Sequence, residues 1–118
     1  VSERLVGIGT DLVEVARIRE AMRHPRFARR IFTERERELI GADAVRAAGR
    51  WAAKEAVAKA LRLAGSLSWQ EVEVLNAPDG APVVLLPERL SDVRVMLSIS
   101  HERGYALAMA VATSLESA

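Results

Sequence analysis

Cysteine is absent from all 118 residues. That excludes disulfides, thiolate metal sites and a cysteine nucleophile, and an uncrosslinked chain suits the cytosol. Aromatic residues make up only 4% of the chain. They are too scarce to interleave with basic residues as base-stacking platforms, and no recognised nucleic-acid motif is present. Histidine occurs twice, at His24 and His101, which are too widely separated to suggest a zinc site. No apolar run approaches the roughly 20 residues that cross a bilayer, and the N-terminal residues carry no secretory pattern. The net charge is +1, so no global field draws the chain to nucleic acid or to a membrane surface. No repeat, linker or low-complexity stretch divides the sequence.

Half of the residues are hydrophobic, and the length fits one domain, residues 1–118, around one core. "RLVGIGTDLVEV" opens with a short apolar run broken by Gly7 and Gly9, which predicts a strand ending near Asp11. Val15, Ile18 and Met22 follow at helical spacing, and His24-Pro25 ends or kinks that helix. Phe27, Ile31 and Phe32 mark one or two further turns. Thr33-x-x-Glu36 is a capping-box pattern before a short helix from Glu34 to Ile40 with Gly41 as its stop. The longest helix is predicted from Ala44 to Leu63, rich in alanine and ended by Gly65. Gly49 inside it costs about 1 kcal/mol relative to alanine, which points to close packing there. "PDGAP" makes a hairpin turn between strands at Val72–Val74 and Val83–Leu86. Pro87 starts a short helical turn. Two more strands, Val93–Ile99 and Tyr105–Ala112, flank a turn at His101–Gly104. Helices early and strands late imply an α+β fold: one long helix packed on a small antiparallel sheet, with short N-terminal helices.

Four features carry candidate chemistry. Asp11 closes "GIGTD". It reads either as a turn or N-cap aspartate, or as a metal ligand on a rigid strand end, with glycines that let a phosphate approach the backbone. "GIGTD" is one glycine short of the dinucleotide fingerprint. Glu55 lies mid-helix among Ala52, Ala53, Ala56 and Ala58, where small neighbours leave room for a ligand. Its plain reading is an i,i+4 pair with Lys59, about 0.3–0.5 kcal/mol. Its functional reading combines Arg50, Lys54 and Lys59 into a basic strip around one carboxylate, which suits a hard cation bound together with phosphates. Lys54 lies about 100° around the helix from Glu55. In "SISHERG", His101 is either a turn residue or a phosphate contact or proton carrier. From Val15 to Arg30 there are six arginines (Arg17, Arg19, Arg23, Arg26, Arg29 and Arg30) against one acid, Glu20. That bias suits docking of an acidic protein partner.

"GIGTDLVEVARI", "FTERE", "RWAAKEAVAKAL" and "SISHERGYALAMAV" occur in this order, and together they make a specific set. The chain resembles the holo-acyl-carrier-protein synthases, the short bacterial class of 4′-phosphopantetheinyl transferases, over nearly its whole length. The resemblance implies transfer of 4′-phosphopantetheine from coenzyme A to a serine of apo acyl carrier protein. Adenosine 3′,5′-bisphosphate is the by-product, and the reaction supports fatty acid biosynthesis. It also implies Mg²⁺ dependence, a cytoplasmic enzyme, and a homotrimer with active sites at subunit interfaces. By resemblance the metal ligands are Asp11 and Glu55. Lys59 offsets charge on the bridging oxygen. Arg50, Lys54 and Lys59 contact the phosphates of coenzyme A. Gly80 and Pro82 lie near its adenosine, and Ser100 and His101 lie beside it. Arg17, Arg23 and Arg26 dock the carrier protein. Ala81 stands where many members carry lysine. The group that takes the serine's proton stays open among a metal-bound water, Asp11 and Glu102. Two rivals from other classes are a non-enzymatic module that docks an acidic partner and a small Mg²⁺-dependent phosphohydrolase.

Overall fold

A computed structural model describes residues 2–62 and 67–115. The chain runs β1 (Glu3–Glu14), α1 (Val15–Ala21), α2 (Pro25–Ile31), α3 (Glu34–Ile40), α4 (Ala44–Leu61), β2 (Glu73–Asn76), β3 (Pro82–Leu85), β4 (Val93–Glu102) and β5 (Tyr105–Leu115). Short 3₁₀ turns at Trp69–Glu71 and Glu88–Leu90 join the later elements. The α+β class is as expected, but the strands form two sheets, not one. β1, β5 and β4 make a three-stranded antiparallel sheet in that order, and β2 and β3 form a separate two-stranded ribbon. Pro82 opens β3 and Pro87 follows it, and neither can donate a ladder hydrogen bond toward β4.

Several boundaries differ from the sequence expectation. β1 passes Asp11 and continues to Glu14, because β5 offers partners through to the Glu14–Tyr105 pair. β4 likewise runs to Glu102, so Ser100 and His101 are strand residues. The turn shrinks to Arg103 and Gly104, both at positive φ. α4 stops at Leu61, capped by Arg62 in the left-handed conformation. The expected stop at Gly65 lies outside the described residues. α3 has the full capping box: Glu36 N–H donates to Thr33 Oγ1 and Thr33 N–H donates to Glu36 Oε1.

α4 packs on the inner face of the three-stranded sheet through small residues on both sides. Ala52, Ala53, Ala56 and Ala60 are fully buried on the face of α4 that meets the sheet, whose central strand presents Ala106, Ala108, Ala110 and Ala112. The helix comes so near β1 that a Cβ on Gly9 would stand 2.1 Å from the Ala56 carbonyl oxygen. One on Gly7 would stand 2.3 Å from that of Ala60. One on Gly49 would lie 3.3 Å from Ile99 Cγ2, the close packing its helical position suggested. The glycines of "GIGTD" and Ala52, Ala53 and Ala56 beside Glu55 therefore serve helix–sheet contact. They do not clear space for a phosphate or a ligand, as the sequence had suggested. Gly9→Ala should cost about 3 kcal/mol, the upper end of ordinary overpacking, read from the urea midpoint. A variant as stable as the parent would refute the close approach.

A second group of core residues lies between α2, α3, α4 and β2. Phe32, Ile40, Val57, Val72 and Val74 are buried there. An edge-to-face aromatic chain runs Phe32–Phe27–Trp51–Trp69, with centroids 6.3, 6.1 and 4.9 Å apart. The opposite face of the three-stranded sheet is apolar and open. Cross-strand rows such as Ile8–Val111–Met96 and Leu12–Leu107–Ser100 line it. Ile8 is 64% exposed and Met96 73%. None of the helices among the described residues is long and apolar enough to cross a membrane.

Candidate functional site

Alternation along β1 puts Gly7, Gly9, Asp11 and Val13 on the inner face. Asp11 thus faces α4, where it meets Glu55 and Lys59. Lys59 Nζ stands 3.3 Å from Asp11 Oδ1 and 2.9 Å from the Thr10 carbonyl oxygen. This replaces the expected Glu55–Lys59 pair: the strand, being close, outcompetes the next helical turn for the ammonium. Asp11 Oδ2 is buried and receives no hydrogen bond. Burial pushes the Glu55 carboxyl above its ordinary range, the charge of Asp11 pushes it the same way, and Lys59 opposes both. Two carboxyl groups thus stand together, with one ammonium on Asp11 and one Asp11 oxygen left without a partner among the described residues. Such a pair favours a proton or a cation. No cluster of three or more histidine, cysteine, aspartate or glutamate side chains suited to a metal occurs among the described residues. The protein therefore offers a small oxygen-only donor set.

Arg50, Gly80, Pro82 and His101 meet at a separate pocket of about 240 Å³, joined by Arg46 and Asn76. Arg50 is 8% exposed. Its guanidinium donates to Asn76 Oδ1, and its Nε has no partner. Burial pulls its pKa down, the charge of Glu36 pushes it up, and nearby Arg46 pulls it down again. Arg46 makes a loose contact with Asp43, 3.6 Å away, and a long hydrogen bond to the Leu39 carbonyl oxygen at 3.5 Å. Two guanidiniums and an imidazole around a small hollow favour a phosphate-sized anion. Arg46 and Asn76 were not singled out in the sequence. Arg46 had a signal, its i,i+4 spacing from Arg50. Asn76 had none, because only the fold of the β2–β3 ribbon brings it to α4.

Lys54 is not where the resemblance expected it. It is fully buried, with Nζ 2.6 Å from Glu36 Oε1 and 5.8 Å from the Phe32 ring centroid. It reaches no phosphate from that position. The interior lies on its face of α4, about 100° around from Glu55, and Glu36 is more than a cap. Ser100 is also apart from the Arg50 pocket. It points to the outer sheet face, beside a hollow of about 500 Å³ shared with Leu12, Glu102, Tyr105 and Leu107. His101 borders both hollows.

Arg17, Arg23 and Arg26 are exposed on α1, the α1–α2 turn and α2. Arg23 reaches Glu20 at 3.3 Å, with both side chains well exposed. Arg26, Arg29 and Arg30 edge a groove of about 750 Å³ whose apolar part is Phe27, Trp51 and Trp69. None of these three arginines pairs with an acid among the described residues. The arginine bias was visible in the sequence. The aromatic groove beside it was not, because Trp69 comes from a distant segment.

The profile of the 4′-phosphopantetheinyl transferase superfamily matches residues 7–110. The chain is 43% identical to the holo-[acyl-carrier-protein] synthase of Beutenbergia cavernae, over 92% of this chain and 97% of that one. It is 42% identical to that of Chlamydia felis, over 92% and 98%. Among solved structures it superposes on the Bacillus anthracis holo-(acyl-carrier-protein) synthase in complex with CoA (3′,5′-ADP) with a TM-score of 0.83. Identity to it is 35%, covering 94% of this chain and 98% of that one. The Helicobacter pylori synthase in complex with coenzyme A gives a TM-score of 0.84 at 31% identity, covering 89% and 98%. Fold, ordered motifs and these similarities agree, and the chain belongs to the holo-acyl-carrier-protein synthases of the 4′-phosphopantetheinyl transferase superfamily.

Proposed function

We propose that the chain is a cytoplasmic, Mg²⁺-dependent enzyme of residues 1–118 as one domain. It moves 4′-phosphopantetheine from coenzyme A to a serine of apo acyl carrier protein, releases adenosine 3′,5′-bisphosphate, and so supports fatty acid biosynthesis. The observation that carries this reading is the Asp11–Glu55 pair, with its unpartnered buried oxygen and its raised carboxyl pKa. The donor set fits Mg²⁺, which takes oxygen ligands, usually one or two carboxylates with water and phosphate oxygens completing the shell. When bound, the ion would withdraw charge from the pyrophosphate and orient its oxygens. Asp11 and Glu55 would hold it. Lys59, about half exposed beside Asp11, would turn its ammonium to offset charge on the departing oxygen. Arg50, with Arg46 and His101, would hold a phosphate at the nucleotide end, with Gly80 and Pro82 walling the adenosine side. Ser100 would meet coenzyme A only from the outer sheet face.

The reaction is tested by incubating apo carrier protein with coenzyme A, Mg²⁺ and the purified chain. A mass gain of one phosphopantetheine is the expected result. No gain would overturn the reading.

Two features support a homotrimer with shared sites. Glu55 and Arg50 are five residues apart, about 140° around α4, so one copy turns its carboxylate pair and its anion pocket in different directions. The pair sits at the β1 edge of the sheet and the pocket at the β4 edge. A neighbouring copy would bring one edge to the other. The open face around Ile8, Leu12, Met96, Leu107 and Met109 supplies an apolar surface of the kind that marks an interface. Sedimentation should give a trimer, and Leu107→Glu should give monomers with little transfer. A monomeric parent at working concentration would exclude this assembly.

The groove with Arg26 at its edge and Phe27 and Trp51 in its apolar part suits an acidic partner that carries one apolar anchor. Arg26→Glu should raise the KM for carrier protein about tenfold and that for coenzyme A less than twofold, since a reversed rim charge acts on encounter. An unchanged KM for carrier protein would remove the docking assignment.

A further inference from the structure

The ribbon that carries Gly80 and Pro82 shares no hydrogen-bond ladder with the main sheet. Something else must set its distance from α4, and two polar rungs run between them. In the first, Lys54 Nζ meets Glu36 Oε1 at 2.6 Å, and Glu36 Oε2 accepts from Val74 N–H at 2.7 Å. In the second, one turn toward the helix N-terminus, Arg50 donates to Asn76 Oδ1. Val74 and Asn76 are two residues apart on β2, and Lys54 and Arg50 four apart on α4, so the rungs match the repeat of each element. Asn76 then donates from Nδ2 to the Gly80 carbonyl oxygen at 2.9 Å, which ties the turn to the second rung. Glu36 also accepts from Thr33 N–H at 2.8 Å. Its two oxygens thus hold α3, α4 and β2 at one buried point.

We propose that Glu36 and Lys54 are positioning residues for the anion pocket: their pair fixes β2 against α4, and through Asn76 sets where Arg50 and the Gly80–Pro82 turn stand. A capping-box glutamate needs only its bond to Thr33 N–H, and a charge partner for the lysine needs no bond to β2. The Glu36–Val74 bond goes beyond both roles. The inference rests on the reading that this pocket holds the nucleotide end of coenzyme A.

The test compares the parent with Glu36→Gln, Lys54→Met, the double variant and Asn76→Ala. KM for coenzyme A, KM for carrier protein, kcat, and calorimetric binding of adenosine 3′,5′-bisphosphate are measured for each. Positioning predicts that KM for coenzyme A and the Kd of the bisphosphate rise at least fivefold in Glu36→Gln. That rise should exceed any change in kcat or in KM for carrier protein. The double variant should be no worse than the worse single one, because both act on one rung. Asn76→Ala is exposed and should fold, and it should show the same signature even where Lys54→Met does not fold. A purely structural pair would lower the active fraction and leave both KM values and the bisphosphate Kd as in the parent. That result would overturn the proposal. So would a rise confined to Lys54→Met, which would mark a direct phosphate contact. A parent that transfers no phosphopantetheine and binds no bisphosphate would overturn the functional reading and this inference with it. A parent that does both, beside unchanged variants, would overturn the inference alone.

Discussion

Glu55→Gln is expected to abolish transfer and, without divalent cation, to stabilise the protein near neutral pH. The two effects share one cause. Glu55 is held near Asp11 in a partly buried place, and both burial and that neighbour push its carboxyl pKa up. The folded protein therefore keeps a proton on Glu55 at pH values where the unfolded chain, near about 4.3, has released it. Over that window the native state binds more protons, so stability falls as pH rises from the unfolded value through the raised folded one. Above it the ionised pair remains a constant penalty, which a cation would offset by binding only the folded state. Glutamine removes the charge but keeps the shape. Transfer should fall about 10³-fold, equivalent to about 4 kcal/mol of transition-state stabilisation. Melting in chelator should move upward at pH 7 and converge on the parent as pH falls to 4. Parental turnover in a folded Glu55→Gln protein would sink the metal assignment. A lower melting temperature in chelator would sink the electrostatic account.

Lys54→Met alone should cost about 3–5 kcal/mol of folding stability, the range for breaking a buried ion pair from one side. The loss comes from what stays behind. Glu36 is fully buried and keeps its bonds from Thr33 and Val74, but it loses the one full counter-charge that stands at bonding distance among the described residues. Methionine fills the space of the lysine stem beside Phe32, so a cavity contributes little. Replacing both partners, Glu36→Gln with Lys54→Met, should recover most of the loss, because no uncompensated charge remains. Urea unfolding at fixed protein concentration measures it. Under the phosphate-contact role that the resemblance implied, Lys54→Met would weaken binding and leave stability alone. A change below about 1 kcal/mol would restore that role.

The helix spacing of Val15, Ile18 and Met22, the Thr33–Glu36 box and the alanine-rich run all read correctly from local pattern, because each depends on neighbours within a turn. The strand ends did not. β1 and β4 are longer than their apolar runs because ladder pairing with β5 extends them, and that pairing is distant in sequence. The division into two sheets was also hidden: the helical turn after Pro87 could be read between β3 and β4, but whether the two strands pair across it could not. At the site, Asp11, Glu55 and Lys59 could be picked out as residues, but the partner of Lys59 could not. Helix arithmetic matched Lys59 to Glu55, whereas the close packing of β1 gave it to Asp11.

By itself the sequence determined the α+β class, the ordered motifs that define the family, the arginine bias of the first helices and the residues of the carboxylate pair. These are matters of identity and short-range spacing. Tertiary structure alone decided which face of α4 each cation occupies. It turned Lys54 inward to Glu36, set Arg50 against Asn76 with Arg46 beside it, and gave the glycines of "GIGTD" to helix packing. The physical reason is that a helix is indifferent to its own rotation. Only the strand and the ribbon packed on either side choose which of its charges is buried and paired and which is left to act.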